Sequence, residues 1–179
     1  MGSQRSRLIA NHEAAHALVA YALGWKVVSV VVSDASGKTT YVVPHDRSSS
    51  DVLWGDLAVK MSGMAAERRL RGRLSREGAS SDFDEAAKIA AELGGMAAAG
   101  KGMPYPSSWG LVVQTVFPAA YMRDCGIAPG TFAATAINTA TSYALAVLRR
   151  HRRAYQALVE ELLHRQRLEG EDLAQLLAR

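Results

Sequence analysis

Cysteine is nearly absent from this chain, and its scarcity excludes several kinds of protein. Cys125 is the single cysteine among 179 residues, so neither an internal disulfide nor a cysteine-rich zinc module can form. This composition fits a reducing compartment, and we expect a cytoplasmic location. No stretch approaches the roughly 20 apolar residues of a membrane span. The opening residues MGSQRSR also lack the apolar core of a signal peptide.

A strong excess of one charge is missing as well. Lys and Arg number 21 against 17 Asp and Glu, which gives a formal net charge of +4. Because this excess is mild, it does not indicate a nucleic-acid partner. Hydrophobic residues make up 49% of the chain. A chain of this length and composition can bury one substantial core, so we predict a single domain over residues 1–179.

The first part of the chain changes from a helical to a strand-like pattern. From Arg5 to Leu23, apolar residues and two histidines recur every three or four positions, which predicts a helix that Gly24 ends. Two β-branched runs follow, at Val27–Val32 and Thr39–Val43, with turn-forming residues between them. Together they predict an antiparallel hairpin.

Helical patterns dominate the remainder. We predict a helix with Asp51 as its N-cap and Gly72 at its end, a second helix over Ser81–Leu93, and a loop over residues 94–110. Three apolar stripes then indicate C-terminal helices: Ala133, Ala136, Ile137, Ala140, Ala144, Val147 and Leu148; Tyr155, Leu158, Val159 and Leu162; Leu173, Leu176 and Leu177. The predicted fold class is therefore mainly α (α+β), with a small antiparallel sheet near the N-terminus.

The segment HEAAH at residues 12–16 is an HExxH motif. Residues four apart on a helix share a face, with Cβ atoms about 5–6 Å apart, so the imidazoles of His12 and His16 can reach one zinc ion. Glu13 projects away from that face and can act as the general base for a metal-bound water. Alternatively, both histidines are ordinary core residues, although burying them beside a glutamate without an ion is costly.

A catalytic zinc site needs a third protein ligand and an open position. The HExxHxxGxxH extension is absent, because the chain continues as ALVAYALGW. Asp82 is the favoured candidate, since it begins a helix and shares a face with Ala86 and Ile89, where backbone N–H groups can steady a carboxylate. On pattern alone, an ordinary first-turn helix acid explains Asp82 equally well. The other candidates are Glu85, His45, His151 and His164.

Several motifs together resemble the peptidase domain of FtsH-type proteases, which are zinc proteases associated with AAA+ ATPases. HEAAHA at residues 12–17 is similar to the family's HEAGHA, and a β-hairpin follows in both. SGMAAER at residues 62–68 and GASSDF at residues 78–83 occupy, in order, the places of a GGRxAEE-like stretch and of GAxxDxxxA. The resemblance covers nearly the whole chain and is weakest over residues 95–127.

The resemblance implies a zinc peptidase in which His12, His16 and Asp82 bind Zn²⁺ and Glu13 is the base. One departure is Ala15, where the family has glycine. Another is that these residues contain no ATPase module, since the G-x-x-x-x-G-K match at residues 95–101 continues with glycine instead of Ser or Thr. We therefore expect a free-standing or excised peptidase domain without intrinsic ATPase activity.

The expected substrates are unstructured polypeptides, cleaved by this domain unaided or with a separate AAA+ ATPase as partner. Zinc peptidases commonly bind an extended peptide at a sheet edge, and the residues predicted to do so are Thr39, Thr40, Tyr41 and Val42. A strand that only packs against the core is the alternative. Homo-oligomerisation is compatible with the resemblance. The alternative function is a catalytically silent regulator that keeps the peptidase fold to bind peptides or oligomerise.

Overall fold

The computed structural model describes residues 4–44, 49–72, 80–100, 109 and 116–179. The described chain is mainly helical with one small antiparallel sheet, which confirms the predicted fold class. Its elements in chain order are α1 Gln4–Ala22, β1 Lys26–Val32, β2 Gly37–Val42, α2 Ser50–Arg71, α3 Ser80–Ala98, α4 Ala119–Asp124, α5 Phe132–Arg150, α6 Arg152–Arg165, β3 Arg167–Glu169 and α7 Gly170–Leu177.

The sheet contains the predicted hairpin and one further strand. Its strand order is β2-β1-β3, with both pairings antiparallel. Thr39 of β2 lies opposite Val30 of β1, and Leu168 of β3 lies opposite Val30 on the other side. β3 was not predicted, because three residues are too short to show the two-residue alternation of a strand. Among the described residues, β2 is therefore an edge strand of this sheet.

Helix α1 lies at the centre of the molecule. It packs against α2, α5, α6 and both strands of the hairpin. Small residues on several of its faces, among them Ala10, Ala14 and Ala17, are fully buried and allow these neighbours to approach closely. Burial of a large side chain such as Leu18, which is also fully enclosed, contributes about 1.5–3 kcal/mol. The HExxH motif is therefore carried by the most enclosed helix.

Helices α2 and α3 begin or end differently from the prediction. The N-cap of α2 is Ser49, so the prediction of Asp51 as N-cap is wrong. Asp51 lies in the first turn, where its negative charge stabilises the helix by interacting with the helix dipole. Gly72 ends α2 as predicted, with φ at 68°. Helix α3 continues to Ala98, beyond the predicted end at Leu93. The alanines and Met96 around Gly94 and Gly95 favour helix strongly enough to extend it.

The apolar stripes of the C-terminal helices face the core as predicted. Ile137 and Leu148 of α5, Leu158 of α6 and Leu173 of α7 are almost completely buried. The hydroxyl of Tyr155 in α6 donates to Asn11 Oδ1 at 2.8 Å and lies 3.1 Å from the backbone oxygen of Asn11, which ties this region to α1. None of the helices in the described ranges combines the length and apolar character needed to cross a membrane.

Candidate metal centre

Helices α1 and α3 bring three metal-ligating side chains to one point. His12 and His16 lie one turn apart on α1, with ring centroids separated by 4.6 Å. Asp82 stands in the first turn of α3, and its Oδ2 lies 2.9 Å from His12 Nε2 and 3.2 Å from His16 Nε2. One ligand atom from each residue lies within 4.8 Å of the other two. The three side chains that the sequence singled out therefore form one cluster.

The opposite nitrogen of each histidine is hydrogen-bonded to a different acceptor on α2. His16 Nδ1 lies 2.7 Å from the carbonyl oxygen of Val59, and His12 Nδ1 lies 2.8 Å from Glu67 Oε1. Because a carbonyl and a carboxylate can only accept, both Nδ1 atoms carry the proton. In the neutral imidazole each Nε2 then has a lone pair, and both lone pairs face the carboxylate of Asp82. Such an arrangement requires a proton or a cation between them.

The ionisation of these groups reflects the same arrangement. Burial lowers the pKa of His12, but hydrogen bonds to Asp82 and Glu67 outweigh burial and raise the pKa to about 10. Burial raises the pKa of Asp82, but hydrogen bonds from His12 and His16 outweigh it and hold that pKa well below its usual value. The site thus favours positive charge beside Asp82. Two imidazole nitrogens and one carboxylate oxygen form a donor set that suits zinc and leaves an open position.

Helix α2 supports the first histidine through two residues four positions apart. Glu67 is buried, at 5% exposure, and accepts the hydrogen bond from His12. At Gly63, an added Cβ would lie 2.4 Å from His12 Cε1 and Nε2, so a side chain there would collide with the imidazole. The sequence pattern alone does not distinguish Glu67 from a surface acid of the helix. Gly63 was missed, although its four-residue spacing from Glu67 places both on one face.

Glu13 lies beside the cluster without belonging to it. Its side chain is buried, and Thr39 of β2 donates a hydrogen bond of 2.7 Å to Glu13 Oε2. The hydroxyl of Thr39 also lies 3.0 Å from the backbone oxygen of Glu13. Glu13 and both histidines line the same open cleft of about 1590 Å³. The carboxylate is therefore positioned at the site while leaving the ligand positions to the other three side chains.

The other candidates for third ligand lie elsewhere. Glu85, one turn after Asp82, forms an ion pair with Lys60, whose Nζ is also 3.9 Å from Asp82 Oδ1. The side chain of Glu85 is 53% exposed. His151 caps the end of α5 and His164 lies in the last turn of α6, and neither belongs to the cluster. His45 lies outside the described residues.

Three of the four residues predicted to bind substrate border the cleft or a groove beside it. Thr39 and Tyr41 line the cleft, and together with Thr40 they also line an adjoining groove of about 490 Å³ between β2 and α3. Lys60 lines both spaces. Val42 lies at the end of the strand and is 45% exposed. The edge of β2 thus runs from the metal centre into the groove.

Comparison with known proteins agrees with this geometry. Residues 1–105 match the family model of peptidase family M41. The chain belongs to peptidase family M41. It is also 30% identical over 181 residues to the ATP-dependent zinc metalloprotease FtsH 2 of Sphaerobacter thermophilus, an alignment that covers 96% of this chain and 27% of that protein. The chain thus spans about a quarter of that relative's length.

These findings confirm the predicted FtsH-type peptidase domain. Membership of M41 supports a zinc metallopeptidase in general, and zinc as its metal. The cluster of His12, His16 and Asp82 gives such a metal a place within the part of the chain that the family model covers.

Proposed function

We propose that this chain hydrolyses peptide bonds of unstructured polypeptides, with zinc held by His12, His16 and Asp82 and with Glu13 as the general base. The observation that carries the proposal is the convergence of two Nε2 atoms on one carboxylate oxygen, with both Nδ1 atoms fixed by α2. A zinc ion bound there would lower the pKa of its water and polarise the carbonyl of the scissile bond.

The remaining chemistry belongs to the side chains of the chain itself. Glu13 accepts the proton of the attacking water and returns it to the leaving amine, a role that contributes about 10²–10⁴-fold to the rate. Glu67 accepts from His12 Nδ1, so it holds the ring orientation and fixes the neutral tautomer whose lone pair lies on Nε2. The carbonyl of Val59 does the same for His16.

The substrate chain lies along β2 in this proposal. An edge strand offers unpaired backbone groups to which an extended peptide can add as a further strand. Support comes from the position of β2 at the edge of the sheet and from the groove between β2 and α3, which continues the catalytic cleft. A folded substrate cannot adopt this conformation, so unstructured polypeptides are cleaved without ATP and folded ones need an AAA+ ATPase to unfold them.

The test compares the zinc-loaded chain with Glu13→Gln on casein and on an unstructured peptide, without ATP. We expect the variant to keep its zinc and lose about 10²–10⁴-fold in kcat. Glu160→Gln, at an exposed position of α6, is the matched control and should cleave like the wild type. A wild type that binds zinc but cleaves no peptide would contradict the proposal and support a silent peptide-binding regulator instead.

A further inference from the structure

We infer that two residues of the edge strand, Gly37 and Thr39, position the carboxylate of Glu13 for proton transfer. The inference rests on the proposed function, in which Glu13 is the base, and it assigns a second task to β2 besides peptide binding. Because residues two apart on a strand point to the same face, Gly37 and Thr39 both face α1.

Thr39 supplies a hydrogen-bond donor to the carboxylate. Its hydroxyl lies 2.7 Å from Glu13 Oε2, a short distance for a hydroxyl that donates to a charged oxygen. The hydroxyl has one proton, and the backbone oxygen of Glu13 at 3.0 Å is the more distant acceptor. This contact anchors one carboxylate oxygen. Among the described residues Oε1 has no hydrogen-bond partner, so it is available for the proton of the attacking water.

Gly37 provides the space that the carboxylate needs. A Cβ added at this position would lie 2.4 Å from Glu13 Cγ and 2.7 Å from Glu13 Oε1, and 2.8 Å from Ile9 Cγ2. These distances are shorter than any real Cβ contact, so the backbone of β2 lies directly against the base. With a side chain at position 37, Glu13 would have to move.

The two contacts restrict Glu13 in complementary ways. The backbone at Gly37 closes one side of the carboxylate, and the hydroxyl of Thr39 fixes one of its oxygens. A glutamate side chain has three rotatable bonds, and a displacement of about 1 Å in a catalytic group can cost about 10²-fold in rate. Because β2 also borders the peptide groove, one strand sets both the substrate register and the position of the base.

The first experiment separates positioning from peptide binding at Thr39. Thr39→Val removes the hydroxyl but keeps the branched shape, and we expect kcat to fall about 10- to 100-fold while KM and bound zinc stay within about twofold. Thr39→Ser restores the hydroxyl and should recover most of kcat. Thr135→Val is the control, because Thr135 is exposed on α5 and, among the described residues, its hydroxyl donates to the backbone oxygen of Thr131.

The second experiment tests the space at Gly37. Gly37→Ala should displace Glu13 and lower kcat at least as far as Thr39→Val, with zinc still bound. Gly95→Ala is the matched control, since an added Cβ there meets nothing within 4 Å. It should leave kcat and thermal stability unchanged or slightly improve stability, as alanine favours a helix.

Three results would overturn the inference. A rise in KM at unchanged kcat in Thr39→Val would make Thr39 a peptide contact only, and loss of zinc in either variant would make the effect structural. Crystal structures of both variants provide a readout independent of activity: a Glu13 carboxylate in its original place in both would also refute the inference. An inactive wild type would contradict the proposed function, while these structures would still decide whether β2 positions Glu13.

Discussion

The metal cluster and the groove beside β2 adjoin each other but are built differently. In the cluster, both nitrogens of each histidine lie within 3.2 Å of an oxygen atom, and the histidines are more than nine-tenths buried. The groove is bordered by half-exposed threonines and by the free edge of a strand. In the proposed function, metal binding in the cluster therefore depends on single side chains, whereas peptide binding in the groove depends largely on backbone groups.

Asp82 offers the largest expected effect, because it is the one proposed ligand outside α1. Asp82→Ala leaves the two histidines without the third proposed ligand. Loss of a residue that only hydrogen-bonds to a ligand typically lowers metal affinity about 10- to 100-fold, and we expect a larger loss of zinc affinity here. Zinc competition with a chromophoric chelator measures the affinity.

Glu85→Ala is the matched comparison for Asp82, since it removes a carboxylate one turn further along the same helix. Glu85 is paired with Lys60 and lies outside the cluster, so zinc affinity should change by less than about threefold, in line with the small contribution of an exposed ion pair. If Glu85→Ala lost zinc and Asp82→Ala kept it, the assignment of the third ligand would be wrong.

Removal of zinc is expected to lower the free energy of unfolding of the chain more than any substitution in the groove does. A ligand present at about 100 times its Kd stabilises the folded state by about 2.7 kcal/mol. For a chain of this size such a loss lowers Tm by roughly 5–10 °C. Differential scanning calorimetry with and without a chelator measures the shift. A Tm independent of zinc would show that the three side chains do not bind the ion in the folded state.

Glu67 and Ser62 support different histidines and should respond differently to substitution. Glu67→Ala removes the hydrogen-bond acceptor of His12 Nδ1. We expect zinc affinity to fall about 10- to 100-fold, as is usual when a residue that hydrogen-bonds to a metal ligand is lost. Glu67→Gln keeps a neutral acceptor and should lose less. Ser62 lies 3.2 Å from His16 Nδ1, but the carbonyl of Val59 is closer at 2.7 Å.

Ser62→Ala should therefore change zinc affinity by less than about threefold, because the stronger acceptor of His16 belongs to the backbone and remains. The same chelator competition compares the Glu67 and Ser62 variants. Equal losses in Glu67→Ala and Ser62→Ala would contradict the view that a backbone partner protects His16 while His12 depends on a side chain.

The local parts of this architecture were accessible from the sequence, and the parts that need contact between elements were not. The spacing of His12 and His16 places them on one helical face whatever surrounds the helix. Whether Glu67 contacts a ligand depends on how α2 packs on α1, which no local pattern contains. The glycines at 37 and 63 matter only through the atoms that approach them, so the sequence showed neither role.

Asp82 is intermediate between these cases. Its place in the first turn of a helix follows from the local pattern, but its distance to the imidazoles depends on the packing of that helix. The three-residue strand β3 forms only because β1 already presents an edge for it. It could not be predicted, and its presence leaves β2 as the free edge of the hairpin on the side of the cleft.

The smallest effect is expected at the free edge, where a backbone group is removed at little cost to the fold. Val42→Pro deletes the N–H of the last residue of β2, which pairs with Lys26 of β1 at the exposed end of the strand, and it fixes the backbone angle φ there. One lost hydrogen bond is worth about 0.5–1.5 kcal/mol, so kcat/KM for an unstructured peptide should fall about 2- to 10-fold while zinc content stays constant. Val42→Thr retains the N–H and the branched shape and should behave like the wild type.

Loss of both zinc and turnover in Val42→Pro would mean that the strand is needed for folding, and an unchanged kcat/KM would mean that the peptide does not pair with this end of β2. The two regions are thus separable: a change in the groove alters turnover at constant zinc, whereas a change in the cluster alters zinc first.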